Sequence, residues 1–115
     1  MHSVTSNAVA RELNTVVTYS IPNAGIKILR VGKVCNAYYG GNLNGYPSGF
    51  AYSGVIPQEI RPTNLNIRAI LLNNTLDQSI GQVAIRSNGD VQFYQYGGGT
   101  FGNYEYQAWW TWIID

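Results

Sequence analysis

The sequence contains little of what enzyme chemistry requires. Among its 115 residues there is one histidine, His2, and one cysteine, Cys35. These two side chains cannot supply the ligands of an ordinary zinc site within one chain, so no metal is expected. A Ser–His–Asp or Cys–His arrangement would have to use a histidine beside the chain terminus, where residues fray. The sequence therefore predicts a protein that is not an enzyme and that uses no cofactor.

The carboxylates offer one pair for acid–base chemistry. A glycosidase needs two carboxyl groups about 5–10 Å apart, and Glu59 and Glu105 are the pair to consider. The usual state of such residues is a solvated charge at a strand edge. Residues 97–102 match the spacing G-x-G-x-x-G, but a dinucleotide site needs a helix after this motif, and an aromatic strand follows it here. Neither feature indicates an active site.

Charge and long apolar runs are also scarce. Charged residues make up 11% of the chain and the formal net charge is +1. Nucleic-acid-binding proteins concentrate Lys and Arg on one face, whereas the basic residues here are scattered singly, so no nucleic-acid partner is expected. No apolar run approaches the roughly 20 residues that cross a bilayer, so the chain is expected to be soluble and not inserted in a membrane. Cys35 lies in an apolar run and is predicted to be a buried thiol.

The sequence does contain the pattern of one β-rich domain. Hydrophobic residues make up 45% of the chain, and its length suits a single domain. From residue 15 onward apolar residues recur with a period of two, and Gly, Pro and Asn separate the runs. This pattern predicts an all-β fold, an antiparallel β-sandwich or jelly roll over residues 15–115. The predicted strands are Thr15–Ile21, Ile26–Cys35, Phe50–Ile56, Leu65–Asn73, Ile80–Ser87, Val91–Tyr96 and Tyr104–Ile114.

The last predicted strand has one continuous apolar face. Alternate residues from Tyr104 onward are apolar, so Trp110 and Trp112 are predicted to lie in the core. Trp109 and Ile113 share the opposite, more polar face. They require a second layer or another subunit as cover, or else they are exposed apolar surface.

The turn at Asn88-Gly89 predicts a β-hairpin. A plain two-residue loop would mix apolar and polar side chains on each face of the pair. A bulge or a three-residue loop is therefore predicted, with Ile85 paired to Phe93 and Ser87 paired to Val91.

One segment, residues 1–14, is predicted to be helical. Ser and Thr residues supply N-cap candidates, and Val9, Leu13 and Val16 follow the four-then-three spacing of a coiled coil. A helix this short is marginal in water by itself. Either the β-domain of the same chain or copies of the same helix must cover its apolar stripe. The sequence predicts a helical neck that precedes the β-domain.

Residues 36–54 and 94–104 are rich in Tyr, Gly, Asn and Ser. Tyr supplies rigid contact area with a polar tip, and Gly and Asn supply an adaptable backbone and hydrogen bonds. Sugars suit such loops, because their C–H faces stack on aromatic rings. Connections longer than about 12 residues are usually functional or disordered, although the tyrosines could instead pack on the core of the domain. The candidate ligand-binding residues are Tyr38, Tyr39, Asn42, Asn44, Tyr46, Tyr52, Tyr96 and Asn103.

Three segments resemble parts of one known group of proteins. VTSNAVA at residues 4–10 resembles a segment that precedes many C-terminal domains of phage and prophage tail-fibre or tail-appendage proteins. VIPQEIRPT at residues 55–63 is similar to a turn of those domains, and GQVAIRSNGDV at residues 81–91 is similar to one of their hairpins. The chain thus resembles the C-terminal receptor-binding head of a tail fibre.

This resemblance implies a homotrimeric β-sandwich head at the tail tip of a virion, made in the bacterial cytoplasm. A coiled-coil neck would join it to the fibre shaft, and the head would bind carbohydrate on the bacterial surface. Receptor-contacting residues vary in this family, so none is transferred, whereas Arg61 and Pro62 match the turn and are expected to be structural. The candidate interface residues are Val9, Leu13, Val16, Trp109 and Ile113.

An alternative stays open within the same assembly. The domain could be a structural trimerisation or capping module of a fibre or baseplate that binds no receptor. The loop tyrosines distinguish the two functions. Buried rings would favour the structural module, and exposed rings at the end away from the helix would favour the adhesin.

Overall fold

The computed structural model describes residues 16–63 and 66–114, and the predicted neck helix lies outside them. The described chain is all-β, with its strands paired antiparallel. No helix in these two ranges has the length and apolar character needed to cross a membrane. The strands are β1 (Val16–Ile21), β2 (Ile26–Val31), β3 (Val34–Gly41), β4 (Ala51–Tyr52), β5 (Ile67–Asn73), β6 (Gln78–Ile85), β7 (Val91–Gln95) and β8 (Tyr106–Ile113), and short 3₁₀ helices cover Pro22–Ala24 and Gln58–Ile60.

All eight strands belong to one sheet, in the order β1-β2-β3-β8-β5-β6-β7-β4. The sheet is curled, because Tyr39 on β3 lies against Phe93 on β7, with ring centroids 4.8 Å apart. The indole N–H of Trp110 on β8 likewise donates to the carbonyl of Val83 on β6, at 3.2 Å. The all-β antiparallel prediction is confirmed. The predicted sandwich of two separate sheets is not confirmed, since β8 still pairs with β5.

The core lies between the two halves of this curled sheet. Trp110 and Trp112 are buried there, as predicted from the alternation in the last strand. The indole N–H of Trp112 donates to the carbonyl of Ile60 at 2.7 Å, so both buried indoles have a hydrogen-bond acceptor. Cys35 is also buried, as predicted, and burial raises the pKa of its thiol. A buried thiol with a raised pKa is a poor nucleophile.

Two predicted strands are wrong in extent. Only Ala51–Tyr52 of the predicted strand Phe50–Ile56 is a strand, and Ile26–Cys35 is two strands joined by a tight turn. Val31 at the end of β2 pairs directly with Val34 at the start of β3. Gly32 between them has a φ of 60°, the left-handed conformation that two-residue hairpin turns require. The apolar residues on both sides of this turn made the segment resemble a single continuous strand. The β2–β3 hairpin brings Lys27 beside Tyr38.

The β6–β7 hairpin has a different register from the predicted one. Ile85 pairs with Val91, so the predicted pairings of Ile85 with Phe93 and of Ser87 with Val91 are wrong. The N–H of Gly89 donates to the carbonyl of Arg86 at 2.9 Å, and Gly89 has a φ of 89°. The observed register still places apolar residues of β6 and β7 opposite each other on one face of the hairpin.

Candidate functional site

The outer face of the sheet carries a continuous row of exposed β-branched side chains. In the registers of β1, β2, β3 and β8, Val16 lies opposite Val31, Val31 opposite Val34, and Val34 opposite Ile113. Their exposed fractions run from 36% to 72%. We call these four residues the apolar row. It lies where residues 1–15 connect to β1 and where β8 ends.

The apolar row contains two of the residues that the sequence predicted for an interface between subunits. Val16 and Ile113 are its two end members. Trp109 lies on the same face but opposite Tyr38, four residue pairs along the β3–β8 ladder from the row. Val9 and Leu13 lie outside the described residues.

Further along the same face the surface becomes polar and aromatic. Tyr38 is four residues from Val34 on β3, about 13 Å at the usual rise of a strand. The rings of Tyr38 and Trp109 meet edge to face, with centroids 5.4 Å apart and planes at 70°. The amide of Gln107 donates to the Tyr38 hydroxyl at 3.1 Å. Tyr38 is therefore held by a ring and by a hydrogen bond, while the Trp109 ring stays 54% exposed.

Two hollows flank the Tyr38 ring. The first, which we call the lysine hollow, has a volume of about 320 Å³, and its lining includes Ser20, Lys27 and Tyr38. The second, the glutamate hollow, measures about 460 Å³, and its lining includes Tyr38, Glu105 and Gln107. Gly40 borders both hollows. A Cβ atom there would lie 2.6 Å from the Tyr38 hydroxyl, so the glycine leaves room for this ring.

The two segments that the sequence predicted as binding loops, residues 36–54 and 94–104, are loops only in part, because β3 extends to Gly41 and β7 to Gln95. Their loop parts lie side by side. The loop between β3 and β4 meets the loop between β7 and β8 through backbone hydrogen bonds, including that from the Phe101 N–H to the Tyr46 carbonyl at 2.9 Å. The Asn42 side-chain amide donates to Asn103 Oδ1 at 2.6 Å. These loops lie at the end of the sheet opposite the apolar row, next to the glutamate hollow, which Asn42 also lines.

Two of the candidate tyrosines pack inward. Tyr39 is 2% exposed and contacts Phe93, so its ring is part of the core. Tyr52 is half-buried, with its ring centroid 5.9 Å from that of Phe93 in an edge-to-face contact. Burial raises the pKa of both hydroxyls. We leave Tyr39 out of the proposed ligand surface for this reason.

The remaining candidate residues in the loops are exposed to solvent. Tyr96 is 59% exposed. Tyr46 is 40% exposed, with its other face stacked on Phe50 at a centroid distance of 3.9 Å. Asn44 is exposed, and its N–H donates to Asn42 Oδ1 at 2.8 Å, which fixes the local turn.

Sequence reasoning missed Lys27, Glu105 and Gln107 as members of the site. The period-two pattern indicates that Lys27 and Gln107 point outward from their strands. Their proximity to Tyr38 depends on the β2–β3 turn and on the pairing of β3 with β8. Neither of these could be predicted from local sequence.

Arg61 has the structural role expected for it. Its Nε donates to the Ile56 carbonyl at 2.7 Å, and the Ile56 N–H donates to the Gly89 carbonyl at 3.1 Å. A Cβ atom on Gly89 would lie 2.5 Å from Arg61 Nε, so the guanidinium lies directly over the hairpin turn. Arg61 thus holds the segment before it in the conformation in which Ile56 bonds to the β6–β7 loop. Pro62 next to it is buried.

The two carboxylates considered as a glycosidase pair are not brought together. Glu59 adjoins Ile60, whose carbonyl accepts from Trp112 near the end of β8. Glu105 adjoins the first residue of β8, six positions and about 20 Å away along the strand. Within the described ranges no cluster of His, Cys, Asp and Glu could hold a metal ion.

No model of a protein family matches the chain. No curated protein matches it either.

Proposed function

We propose that the chain is the receptor-binding head of a phage tail fibre, which attaches the virion to carbohydrate on the bacterial surface. The observation that carries the proposal is the division of one sheet face into two surfaces. The apolar row lies where the N-terminal segment joins the sheet, and the aromatic and amide surface around Tyr38 lies about 13 Å and more away. A fibre head needs this division, because one end assembles on the shaft and the other faces the cell.

The proposal assigns the apolar row to contact between three copies of the chain. Four adjacent exposed β-branched side chains form a larger apolar patch than isolated surface residues do, and such patches mark interaction sites. Residues 1–14, the proposed neck with Val9 and Leu13, end two positions before Val16 in the chain. A three-stranded neck would therefore hold three apolar rows close together. The two packed halves of the sheet would act as the two layers of the predicted sandwich.

The proposal assigns the surface around Tyr38 to a saccharide. The exposed Trp109 ring suits stacking on the C–H face of a sugar, and the amides of Gln107 and Asn42 suit its hydroxyl groups. We place Trp109 with this surface and not with the interface, since its ring contacts Tyr38. The separation of Glu59 from Glu105 supports binding without hydrolysis.

Whole-cell binding after selective treatment of the cell surface tests this proposal. Fluorescently labelled chain of residues 1–115 is expected to bind some strains of a bacterial panel. Periodate, which cleaves vicinal diols of glycans, is expected to abolish that binding, and protease treatment of the cells is expected to leave it intact. Binding that survives periodate and is lost after protease would contradict a carbohydrate receptor.

A matched pair of variants locates the contact. Trp109→Ala is expected to lose most of the cell binding, because its ring is exposed beside Tyr38. Ile70→Ala removes an exposed apolar side chain from β5, in the other half of the sheet, and is expected to bind normally. Equal binding by both variants would contradict the assignment of the surface.

A second candidate function is favoured by the aromatic cluster of Tyr39, Tyr52 and Phe93. These tyrosines stabilise the domain and leave less ring surface for a ligand. This would suit a trimerisation or capping module of a fibre or baseplate. A chain that sediments as a trimer and binds no strain of the panel would favour this second function.

A further inference from the structure

We infer that the ligand is an acidic saccharide of at least two sugar units, which lies across Tyr38 with its anionic group at Lys27. This inference rests on the proposed function and specifies the ligand class of the same surface. It depends on the two hollows, on the charges that they carry, and on the ring that separates them.

Lys27 is a cation available to a ligand. In the described ranges, the side chains of Lys27 and Lys33 make no hydrogen bond or ion pair with the protein, and of these two only Lys27 lines a hollow. The four arginines of the described residues are engaged: Arg30 donates to the Gly32 carbonyl, Arg61 to Ile56, Arg68 to Gln82 and Arg86 to Gln92. An anionic oxygen in the lysine hollow would therefore gain a charge-assisted hydrogen bond without displacing an existing partner.

Glu105 gives the opposite hollow the opposite charge. Glu105 lines the glutamate hollow, and its carboxylate has no hydrogen-bond partner among the described residues. It can accept hydrogen bonds from sugar hydroxyl groups, and it disfavours a second anion there. The charge difference across Tyr38 thus orients the ligand, with its anionic unit toward Lys27.

The size and position of the hollows set the minimum length of the ligand. Their volumes, about 320 and 460 Å³, lie in the lower range of small-molecule pockets. The Tyr38 ring stands between them and is held by Trp109 and Gln107. A single sugar would occupy one hollow, whereas two linked sugars can occupy both and contact the intervening ring.

An array of bacterial polysaccharides in three chemical forms tests the inference. Each polysaccharide is printed untreated, with its uronate carboxyl groups reduced to alcohols, and after removal of phosphate by hydrofluoric acid. The wild-type chain is expected to bind some untreated samples and to lose ~10-fold in affinity when the anionic group is removed. Loss on carboxyl reduction would identify a uronate, and loss on dephosphorylation would identify a phosphate.

Two lysine variants separate a specific contact from general charge. Lys27→Met removes the ammonium group and keeps an unbranched side chain. This variant is expected to bind untreated samples as weakly as the wild type binds the neutral forms. Lys33→Met makes the same change in net charge at the β2–β3 turn, next to the apolar row, and is expected to bind like wild type. Melting temperatures of both variants serve as the check on folding, since both side chains are exposed.

The possible outcomes separate the two proposals. Binding that is equally strong to neutral and untreated samples would overturn the inference and leave the proposed function in place. Equal effects of Lys27→Met and Lys33→Met would overturn it as well. Absence of binding to every polysaccharide would contradict the proposed function itself.

Discussion

At the scale of single residues, the tyrosines divide into structural and surface groups. Tyr39 and Tyr106 are buried, and the hydroxyl of Tyr106 donates to the Gly102 carbonyl at 2.8 Å. Tyr38, Tyr46 and Tyr96 keep exposed ring surface at the end of the sheet opposite the apolar row or beside the two hollows. Composition alone could indicate that these segments are rich in tyrosine, but the fold decides which rings a ligand can reach.

The buried tyrosines predict a loss of stability at high pH. Burial raises the pKa of Tyr39, Tyr52 and Tyr106 above the ordinary value of about 10. In the unfolded chain these hydroxyls ionise first, so their contribution to the free energy of unfolding is expected to be fully present below about pH 10 and to fall above it. Urea unfolding at fixed protein concentration measures this dependence. Titration of all nine tyrosines together at their ordinary pKa in the folded protein would contradict it.

At the scale of elements, the link between Arg61 and the β6–β7 turn predicts a specific loss of stability. Lysine cannot reproduce the planar set of donors through which Arg61 reaches the carbonyls of Ile56 and Gly54. Arg61→Lys is expected to lower the free energy of unfolding by about 1–2 kcal/mol. Chemical denaturation checks this value.

The control for this change is Arg68→Lys. Arg68 is exposed, and its side chain donates to Gln82. Most surface substitutions change stability by less than about 0.5 kcal/mol. Equal destabilisation by Arg61→Lys and Arg68→Lys would contradict the role given to Arg61.

Local sequence patterns predicted most strands and the inward face of β8, because period-two alternation reports which side is buried. Two features could not be predicted in this way. The turn at Gly32 is flanked by valines, so its apolar surroundings hide it within a strand pattern. The continuous sheet depends on β8 pairing with β5, a contact between distant segments. The candidate site was predicted only in part. Tyr38 and Asn42 were predicted from local composition, whereas the position of Lys27 beside Tyr38 depends on strand pairing and was not predicted.

At the scale of the whole molecule, the apolar row predicts that three copies of the chain assemble through this surface. Ile113→Asp places a carboxylate in the proposed contact between copies, where an unpaired buried charge costs about 3–5 kcal/mol. Wild-type chain is expected to sediment as a trimer, and the variant is expected to dissociate while remaining folded. Deletion of residues 1–14 is also expected to weaken assembly. Sedimentation equilibrium measures both effects.

Ile70→Asp provides the matched control for this experiment. Ile70 is exposed on β5, outside the apolar row, so this variant is expected to remain a trimer. An Ile113→Asp protein that keeps the mass of the wild type would show that the apolar row does not hold the copies together.

The position of a bound saccharide on the sheet face is the most direct test of the central claim. The three tryptophans provide the probes, because Trp109 is exposed beside Tyr38 while the indole N–H groups of Trp110 and Trp112 are buried and hydrogen-bonded. Nuclear magnetic resonance of ¹⁵N-labelled protein, titrated with oligosaccharides from a strain that it binds, resolves these signals. The Trp109 indole signal is expected to shift while those of Trp110 and Trp112 stay in place. An unchanged Trp109 signal at saturation would contradict a ligand surface around Tyr38.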